Sequence, residues 1–451
     1  MKVSKFGGSS LADAKQFRKV SDIIKADNSR KIVVVSAPGK RFKEDVKVTD
    51  LLINCAKTHY QSGKSDDDLE LVISRYKEIA EELGLDSGII DVIRDDLNQR
   101  LANTSITEGQ YIDSLKASGE DNCAKLMAEH LRNQGLEANY ISPKEAGLFL
   151  SNDYGNAHVL QQSYDNLAKL SENAGIVVFP GFFGYTPEGD LVTFSRGGSD
   201  ITGSILAAAV KADLYENFTD VDCVFSVNPS LVANPKAIYE LTYREMRELS
   251  YGGFSVLHAE ALLPAYKEKI PVKIKNTNNP DCKGTLIVAD RSPENGPVVG
   301  IASDTGFCSI YVSKYLMNRE IGFGRKLLQI LEEEGLSYEH TPSGIDDISV
   351  ILHEEQFDSQ TEEKVTNRIR TELEVDDIAV KRNIALVMIV GEGMRQSIGV
   401  AAKATRAFER ANVNLDMINQ GSSEVSMMFG VNANDADRAV QALYKEFFDC
   451  N

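Results

Sequence analysis

The sequence is poor in positive charge, in clustered cysteine or histidine, and in long apolar runs. Each shortage removes a class of function. Against 67 Asp and Glu it carries only 49 Lys and Arg, a formal net charge of −18 over 451 residues. That balance argues against nucleic acid or an anionic membrane as the main partner. The 6 cysteines (Cys55, Cys123, Cys223, Cys282, Cys308, Cys450) show neither metal-ligand spacing nor a paired framework, which is the usage expected in a reducing cytoplasm. The 6 histidines do not group as ligands, so His130 and His258 are read as packing residues and no protein-held metal site is expected. No stretch approaches transmembrane length, and the chain opens directly on a strand, so no anchor or signal peptide is expected. Gly63-Lys64-Ser65 lacks the Walker A glycine five residues earlier, where Thr58 stands, and the protein-kinase signatures and the Gly-x-Ser-x-Gly elbow are missing too.

What is present is a globular composition, 42% hydrophobic and 26% charged, with length for roughly two or three domains. Residues 1 to about 295 alternate strands with helices. The segments 31–36, 175–179 and 191–193 read as buried strands, 271–275 and 285–288 close the region, and helices are predicted over 68–101, 107–117, 120–134 and 200–211. Apolar strands with crossover helices predict an α/β fold with a mainly parallel sheet covered on both faces. The acidic stretch 64–101 reads as cover for one end of that sheet, with a subunit contact as the alternative.

Pro293, Gly296 and Pro297 mark a change of style. Beyond them Met317, Gly322, Lys326, Gly335-Leu336, Glu339 and Ile348-Ser349 recur 77 positions on as Met394, Gly399, Lys403, Asn412-Val413, Asp416 and Val425-Ser426. So long a constant offset reads as a duplication. Each copy reads β-α-β-β-α. The first occupies 307–313, 321–334, 337–341, 347–352 and 359–373, with a last strand at 376–382; the second occupies 384–390, 396–411, 414–420, 424–430 and 434–447. A ferredoxin-like unit needs βαββαβ, so the second copy lacks a strand. Residues 298–303 are the spare one, which predicts that the first unit is nested inside the second.

Two glycine-rich turns carry the chemistry. Val3-Ser4-Lys5-Phe6-Gly7-Gly8-Ser9-Ser10-Leu11 reads as strand, glycine turn and helix start, with Ser9 or Ser10 as the cap. Free backbone N–H groups at such a turn favour an anion, and Lys5 adds a point charge. Ser195-Arg196-Gly197-Gly198-Ser199-Asp200 opens a second helix. There Arg196 can grip a carboxylate with two parallel hydrogen bonds, and Asp200 can orient Lys5 or help hold Mg²⁺, unless it is simply a favourable acid in a first helical turn.

Lys5-Phe6-Gly7-Gly8-Ser9-Ser10 resembles the N-terminal signature of aspartate kinases, and Arg196-Gly197-Gly198-Ser199-Asp200 resembles their second signature. The similarity continues through Ser36, Val48-Thr49-Asp50, Ser118-Gly119-Glu120, Thr219-Asp220-Val221-Asp222 and Val256-Leu257-His258, and the duplicated tail looks like the paired ACT domains of those enzymes. The resemblance implies an amino-acid kinase domain over 1–295, a first ACT domain over 304–382, and a second built from 298–303 plus 383–451. It implies transfer of the γ-phosphoryl of ATP, with Mg²⁺, to the β-carboxylate of L-aspartate, giving 4-phospho-L-aspartate toward lysine, threonine and methionine. The acceptor is already ionised at neutral pH, so positioning and charge stabilisation suffice without a general base.

Roles carry over by resemblance. Lys5 would neutralise the transferring phosphoryl and Asp200 would orient Lys5. Arg196 would take the α-carboxylate of aspartate and Glu120 its ammonium, with Ser36, Thr49, Phe182, Gly197 and Ser199 completing the pocket. The nucleotide side would fall to Gly7, Gly8, Ser9, Thr219, Asp220, Phe225 and Lys275. The family's Tyr-x-x-Asp-Pro-Arg segment is here Phe225-Ser226-Val227-Asn228-Pro229-Ser230, without the tyrosine hydroxyl and the arginine; Cys223 replaces a usual glycine and Ser255 a usual lysine. Lys275 is assigned part of the missing charge, and the basic segment 39–47 reads as a flap over the site or a solvated loop.

The tail resembles an amino-acid sensor built across subunits, which implies a homodimer or dimer of dimers. The effector site is assigned to Met317, Gly322, Phe323, Ser337, Tyr338, Glu339, Asp346 and Asp347. N–H groups after Ile321 suit an effector carboxylate, and the acids suit a cationic side chain, favouring lysine over threonine. A solvated acidic face and a hairpin turn are the alternative for Glu339, Asp346 and Asp347. Two rival functions stay open at this point: another amino-acid kinase of the same fold, or a catalytically weak sensor on a kinase scaffold.

Overall fold

A computed structural model describes residues 1–292, 296–421, 423 and 425–449. Pro293 and Cys450 therefore lie outside the described residues. The chain forms two units. One holds Met1–Val224, Ala237–Ser250 and Ser255–Arg291; the other holds Phe225–Lys236, Tyr251–Phe254 and Ser292–Asn451. The first excursion belongs with the tail because its apolar side chains pack there, and the second because the Tyr251 hydroxyl bonds Glu339. Val227 sits in the same core as Ile301 and Met394, with Leu231 and Val232 packed against it, and the carbonyl of Leu231 accepts a bond from Gln441.

The first unit is built on eight strands: β1 (Lys2–Phe6), β2 (Arg30–Val35), β3 (Ala138–Tyr140), β4 (Ile176–Pro180), β5 (Leu214–Thr219), β6 (Glu240–Thr242), β7 (Val272–Asn276) and β8 (Thr285–Val288). Their order is β6-β8-β7-β5-β1-β2-β4-β3. The sheet is parallel from β3 to β7, and only β8 meets its neighbour β7 antiparallel. Strand alternation divides its residues. Phe6, Val33, Val35 and Phe218 face a core shared with α1 (Ala14–Lys25), α3 (Asp66–Leu83), α4 (Gly88–Ala102) and α5 (Glu108–Asn133). The opposite row, Lys5 and its register partner Asn217, faces α6 (Gly198–Ala209), whose Asp200 both side chains contact. α2 (Val48–Ser62) follows the loop after β2.

Three helix expectations change. The stretch 68–101 is two helices, because Gly84 takes the left-handed conformation at φ +67° and ends α3. The stretches 107–117 and 120–134 are one helix of 26 residues. Gly119 does not break it: a Cβ there would lie 2.9 Å from that of Ala37, so glycine serves close packing. Ser9 and Ser10 cap nothing. Gly8–Leu11 is a separate 3₁₀ turn without a side-chain cap, and α1 is capped by Asp13, whose Oδ1 accepts from the N–H of Gln16 at 2.8 Å.

In the second unit β9 (Gly300–Ser313), β10 (Asp347–His353), β11 (Asp377–Val390), β12 (Met417–Asn419) and β13 (Ser426–Asn432) form a single antiparallel sheet ordered β10-β9-β11-β13-β12. The predicted strands 298–303 and 307–313 are one strand, and so are 376–382 and 384–390. β9 and β11, each of 14 residues, pair along both halves, from Gly300 with Val390 to Ser313 with Asp377. The predicted strand 337–341 shrinks to isolated pairing at His340 with Ile351. Pairing resumes at Ser343 with Ile348, but Pro342 between them has no N–H to give and offers only its carbonyl, to the N–H of Ser349 at 2.9 Å, so no continuous ladder forms. Helices α7 (Phe323–Glu333), α8 (Ser359–Leu373), α9 (Val400–Arg410) and α10 (Ala436–Phe448) supply two separate cores.

Candidate active site

The carboxyl ends of the central parallel strands place Lys5 beside Asp200. The Lys5 ammonium lies 2.5 Å from Asp200 Oδ1, and the two side chains are 9% and 15% exposed. Asn217 donates from Nδ2 to the same carboxylate oxygen at 2.7 Å, and the Tyr215 hydroxyl donates to the Asp200 carbonyl at 3.1 Å. Burying a charged group is costly unless it is paired, and Asp200 is that partner for Lys5. The ammonium would lie 3.5 Å from a Cβ on Gly7, so the positive charge stands against the glycine loop.

That loop is shaped by close backbone contact. The Gly39 N–H donates to the Gly8 carbonyl at 2.8 Å. A Cβ on Gly39 would fall 2.6 Å from the Gly8 carbonyl carbon, and one on Gly8 would fall 2.9 Å from the Ala37 oxygen. Ser9 is exposed, while the Ser10 hydroxyl is buried against that of Thr277 at 2.7 Å. The second turn is as tight. Gly197 has φ +76°, Gly181 lies against Ser199, where a Cβ would come within 2.6 Å, and Gly198 lies against Phe182 with the same clearance. Phe182 itself has φ +77°. Its N–H is held by the Thr202 hydroxyl at 3.0 Å, which fixes a conformation costly for an aromatic residue. His258 packs its Cβ over Gly197.

Glu120 reaches the same region from α5. It is 6% exposed, and its Oε2 has no hydrogen-bond partner. Burial pushes its pKa up to about 8, opposed by the N–H groups of Ala37 and of Glu120 itself and by the charge of Lys5. Ser36 follows β2 with its N–H on the Phe6 carbonyl, and Thr49 lies in the first turn of α2, whose Val48 N–H bonds the Pro38 carbonyl. Arg196 is exposed and is among the cations without an ion pair in the described structure. A buried acid with one unpartnered oxygen and an exposed arginine without an ion pair thus flank Lys5–Asp200.

The nucleotide assignments divide. Thr219 and Asp220 do end β5, where the Thr219 hydroxyl donates to Asp220 at 3.2 Å. Lys275 is paired in register with Phe218, which places it in the row of Phe6 and Phe218 rather than that of Lys5. Burial lowers its pKa, opposed by Glu216. Phe225 belongs to the second unit. The 39–47 segment is no free flap. Asp45 accepts from the backbone and side chain of Arg41, and Arg75 of α3 pairs with Asp45 at 3.2 Å. Asn217 escaped sequence reasoning; its signal was a polar residue inside an otherwise buried strand.

The effector residues fall into two groups. Asp346 Oδ1 accepts from the N–H of Leu316 at 2.9 Å, which ties Asp346 and Asp347 to the Met317 loop and to Gly322, at φ +82° before α7. Met317 and Phe323 are core residues. Ser337, beyond the other end of α7, is held by Gln356. Tyr338 is exposed, and Glu339 accepts from the Tyr251 hydroxyl and pairs with His353. α7 separates Gly322 from Ser337 by about 16 Å at 1.5 Å per residue.

Residues 1–276 match the amino acid kinase family, and residues 387–447 match an ACT domain. Aspartokinase 3 of Bacillus subtilis is 60% identical over 448 residues, 99% of each chain. The chain belongs to the aspartokinases. It carries ATP-dependent aspartate kinase activity with amino-acid feedback, and the match spans 99% of its length. The aspartate kinase of Clostridium acetobutylicum has the same fold, with a TM-score of 0.86 at 39% identity, covering 99% of this chain and 100% of that one. Aspartokinase III of Escherichia coli aligns with TM-scores of 0.80 in complex with aspartate and ADP and 0.75 in complex with lysine and aspartate, at 26% and 27% identity over 99% of this chain and 100% and 99% of those.

Proposed function

We propose that the Lys5–Asp200 pair is the centre of phosphoryl transfer from ATP to L-aspartate, and that the tail inhibits it when it binds L-lysine. The observation that carries the catalytic part is the pair itself, a buried ammonium held by a carboxylate at the glycine loop. The aspartate carboxylate attacks the γ-phosphorus, a P–O bond forms, and ADP leaves; no proton need move. The obstacle is the meeting of two anions. Lys5, the N–H groups of Gly8 and Ser9, and Arg196 supply positive charge that is already in place; the Gly7 N–H is taken by the Phe218 carbonyl. Arg196 takes the α-carboxylate through two parallel bonds, and Glu120 takes the ammonium, which supplies the counter-charge that its burial withholds. Gly197, Ser199, Phe182, Ser36 and Thr49 shape the pocket between them.

Gly7, Gly8, Ser9, Thr219 and Asp220 are proposed for the nucleotide. Lys275 and Phe225 keep their places in that proposal through sequence position alone. Among the described residues no group of three or more His, Cys, Asp or Glu could hold a metal ion, and Asp200 is committed to Lys5 and Asn217. The site thus fits Mg²⁺ that arrives on the nucleotide phosphates, where it would neutralise their charge.

Lysine is favoured as effector because the acids of the first ACT unit suit a cationic side chain, and because the E. coli relative is described as lysine-sensitive. The two groups of effector residues lie apart in one chain, so a homodimer or dimer of dimers through the ACT units would let one group face the other group of a second copy. Among the described residues no helix is long and apolar enough to cross a membrane, and a cytoplasmic setting agrees with the unpaired cysteines. Acyl-phosphate formation, trapped as the hydroxamate with ATP and Mg²⁺, tests the reaction. Product is expected with L-aspartate and not L-glutamate, and no product from either would favour a sensor that has lost catalysis. A thermal shift with L-threonine but not L-lysine would overturn the effector assignment.

A further inference from the structure

We propose that Arg75 and Tyr76, neighbours on α3, are positioning residues for the phosphoryl transfer: Arg75 sets the glycine loop and Tyr76 sets the helix turn that carries Glu120. The inference rests on the aspartokinase reading and gives a catalytic purpose to a helix that the sequence offers as cover for the sheet or as a subunit contact.

Arg75 is 4% exposed, yet it reaches three backbone carbonyls, two in the 39–47 segment and one beside the 3₁₀ turn. Its guanidinium donates to the carbonyls of Val46 at 2.9 Å, Gly39 at 2.9 Å and Ala12 at 3.4 Å, and it pairs with Asp45 at 3.2 Å. Gly39 is the residue whose N–H holds the Gly8 carbonyl. Ala12 ends the 3₁₀ turn Gly8–Leu11. One side chain therefore grips the glycine loop at both of its sides. A buried ion pair is a poor device for stability alone, since apolar residues of similar volume often serve as well. Its value is geometric: a planar fork of fixed donors holds its acceptors at fixed angles.

Tyr76 is fully buried, and its hydroxyl donates to the Gly119 carbonyl at 2.8 Å. Gly119 precedes Glu120 and sits directly on Ala37. Glu120 has an oxygen with no partner of its own, so its aim depends on how that helix turn is held. α3 thus connects the loop for the nucleotide with the acid for the aspartate ammonium. A misplacement of about 1 Å at either would be felt as up to ~100-fold in rate.

The test is steady-state kinetics of wild type, Arg75→Lys and Tyr76→Phe with both substrates. Arg75→Lys keeps the charge and loses the fork; it should raise the KM for ATP about tenfold with the KM for aspartate within about twofold. Tyr76→Phe removes one oxygen; it should raise the KM for aspartate about fivefold and leave that for ATP alone. If Arg75→Lys does not fold, Asp45→Asn must produce the same shift for ATP. A purely structural role would lower kcat in proportion to the folded fraction and leave both KM values in place. That result, or both KM values moving together in each variant, overturns the proposal. Inactive wild type would instead overturn the aspartokinase reading.

Discussion

Replacing Glu120 by glutamine should stabilise the ligand-free protein at alkaline pH and, in the same stroke, remove its grip on aspartate. The carboxyl is buried with one oxygen unpartnered, and burial raises its pKa from 4.5 to about 8. In the unfolded chain the same group ionises near its ordinary value. Between these limits the native state holds a proton that the unfolded state has released, so stability falls as pH rises through the window and levels off above it. At 1.36 kcal/mol per unit the destabilisation reaches ~5 kcal/mol above pH 8. Glutamine has the same size and no charge at any pH. Urea unfolding should therefore show a variant more stable than wild type by a few kcal/mol near pH 8.5, with the gap closing near pH 5. Aspartate reverses the balance, because its ammonium favours the ionised acid. Binding should release a proton, and kcat/KM for aspartate should climb about tenfold per pH unit below ~8 and flatten above. The glutamine variant should lose this dependence together with most of its affinity. A flat aspartate profile from pH 6 to 8.5, or a variant equally destabilised at both pH values, would refute the reasoning.

Lys5→Met should lower kcat by about 10²–10³, read as hydroxamate formation at saturating substrates. Arg196→Lys keeps the charge but loses the two-pronged grip, so the KM for aspartate should rise about tenfold; Tm should stay in place, because Arg196 is exposed. Gly322→Val puts a β-branched side chain at φ +82°, a strain of about 1–3 kcal/mol, and should raise the lysine concentration needed for half-inhibition at least about tenfold.

The sequence was most informative where periodicity and glycine chemistry agree. β2 and β4 were legible because consecutive β-branched residues in a covered parallel sheet admit few other readings, β1 because its strand formers Val3 and Phe6 lead into a glycine turn, and Lys5 with Asp200 could be paired because both glycine turns stand at helix starts. The strand Leu191–Thr193 was found to the residue. Reading failed where long-range contact decides. Nothing local says that Gly119 faces Ala37 and lets α5 run unbroken. The 39–47 segment looked free because the arginine that binds it is at position 75, on another helix. The 337–341 stretch reads as a strand, but Pro342 interrupts the ladder and leaves only isolated pairings at His340 and Ser343. Asn217 was hidden because its partner, Asp200, is close only after α6 folds onto the sheet. Lys275 illustrates the same limit from the other side: its distance from Lys5 is a matter of strand parity, visible only once the register of β1, β5 and β7 is known.

The shared strands β9 and β11 have a consequence for how the regulatory tail can be altered. The repeat in the sequence suggests two interchangeable cassettes, but each of these strands contributes one half to either copy. There is no linker between the cassettes to cut. Transplanting one ACT unit from a relative would sever two strands in mid-ladder, so effector specificity should be exchanged by point substitution in the loops or by moving the whole tail. The shared ladder is also where the two halves are jointed: its register shifts between Asp304 and Phe307 and again before Ser309, with Gly306 and Asn383 both at positive φ, so a change in one half reaches the other through a bulged joint in strands they hold in common.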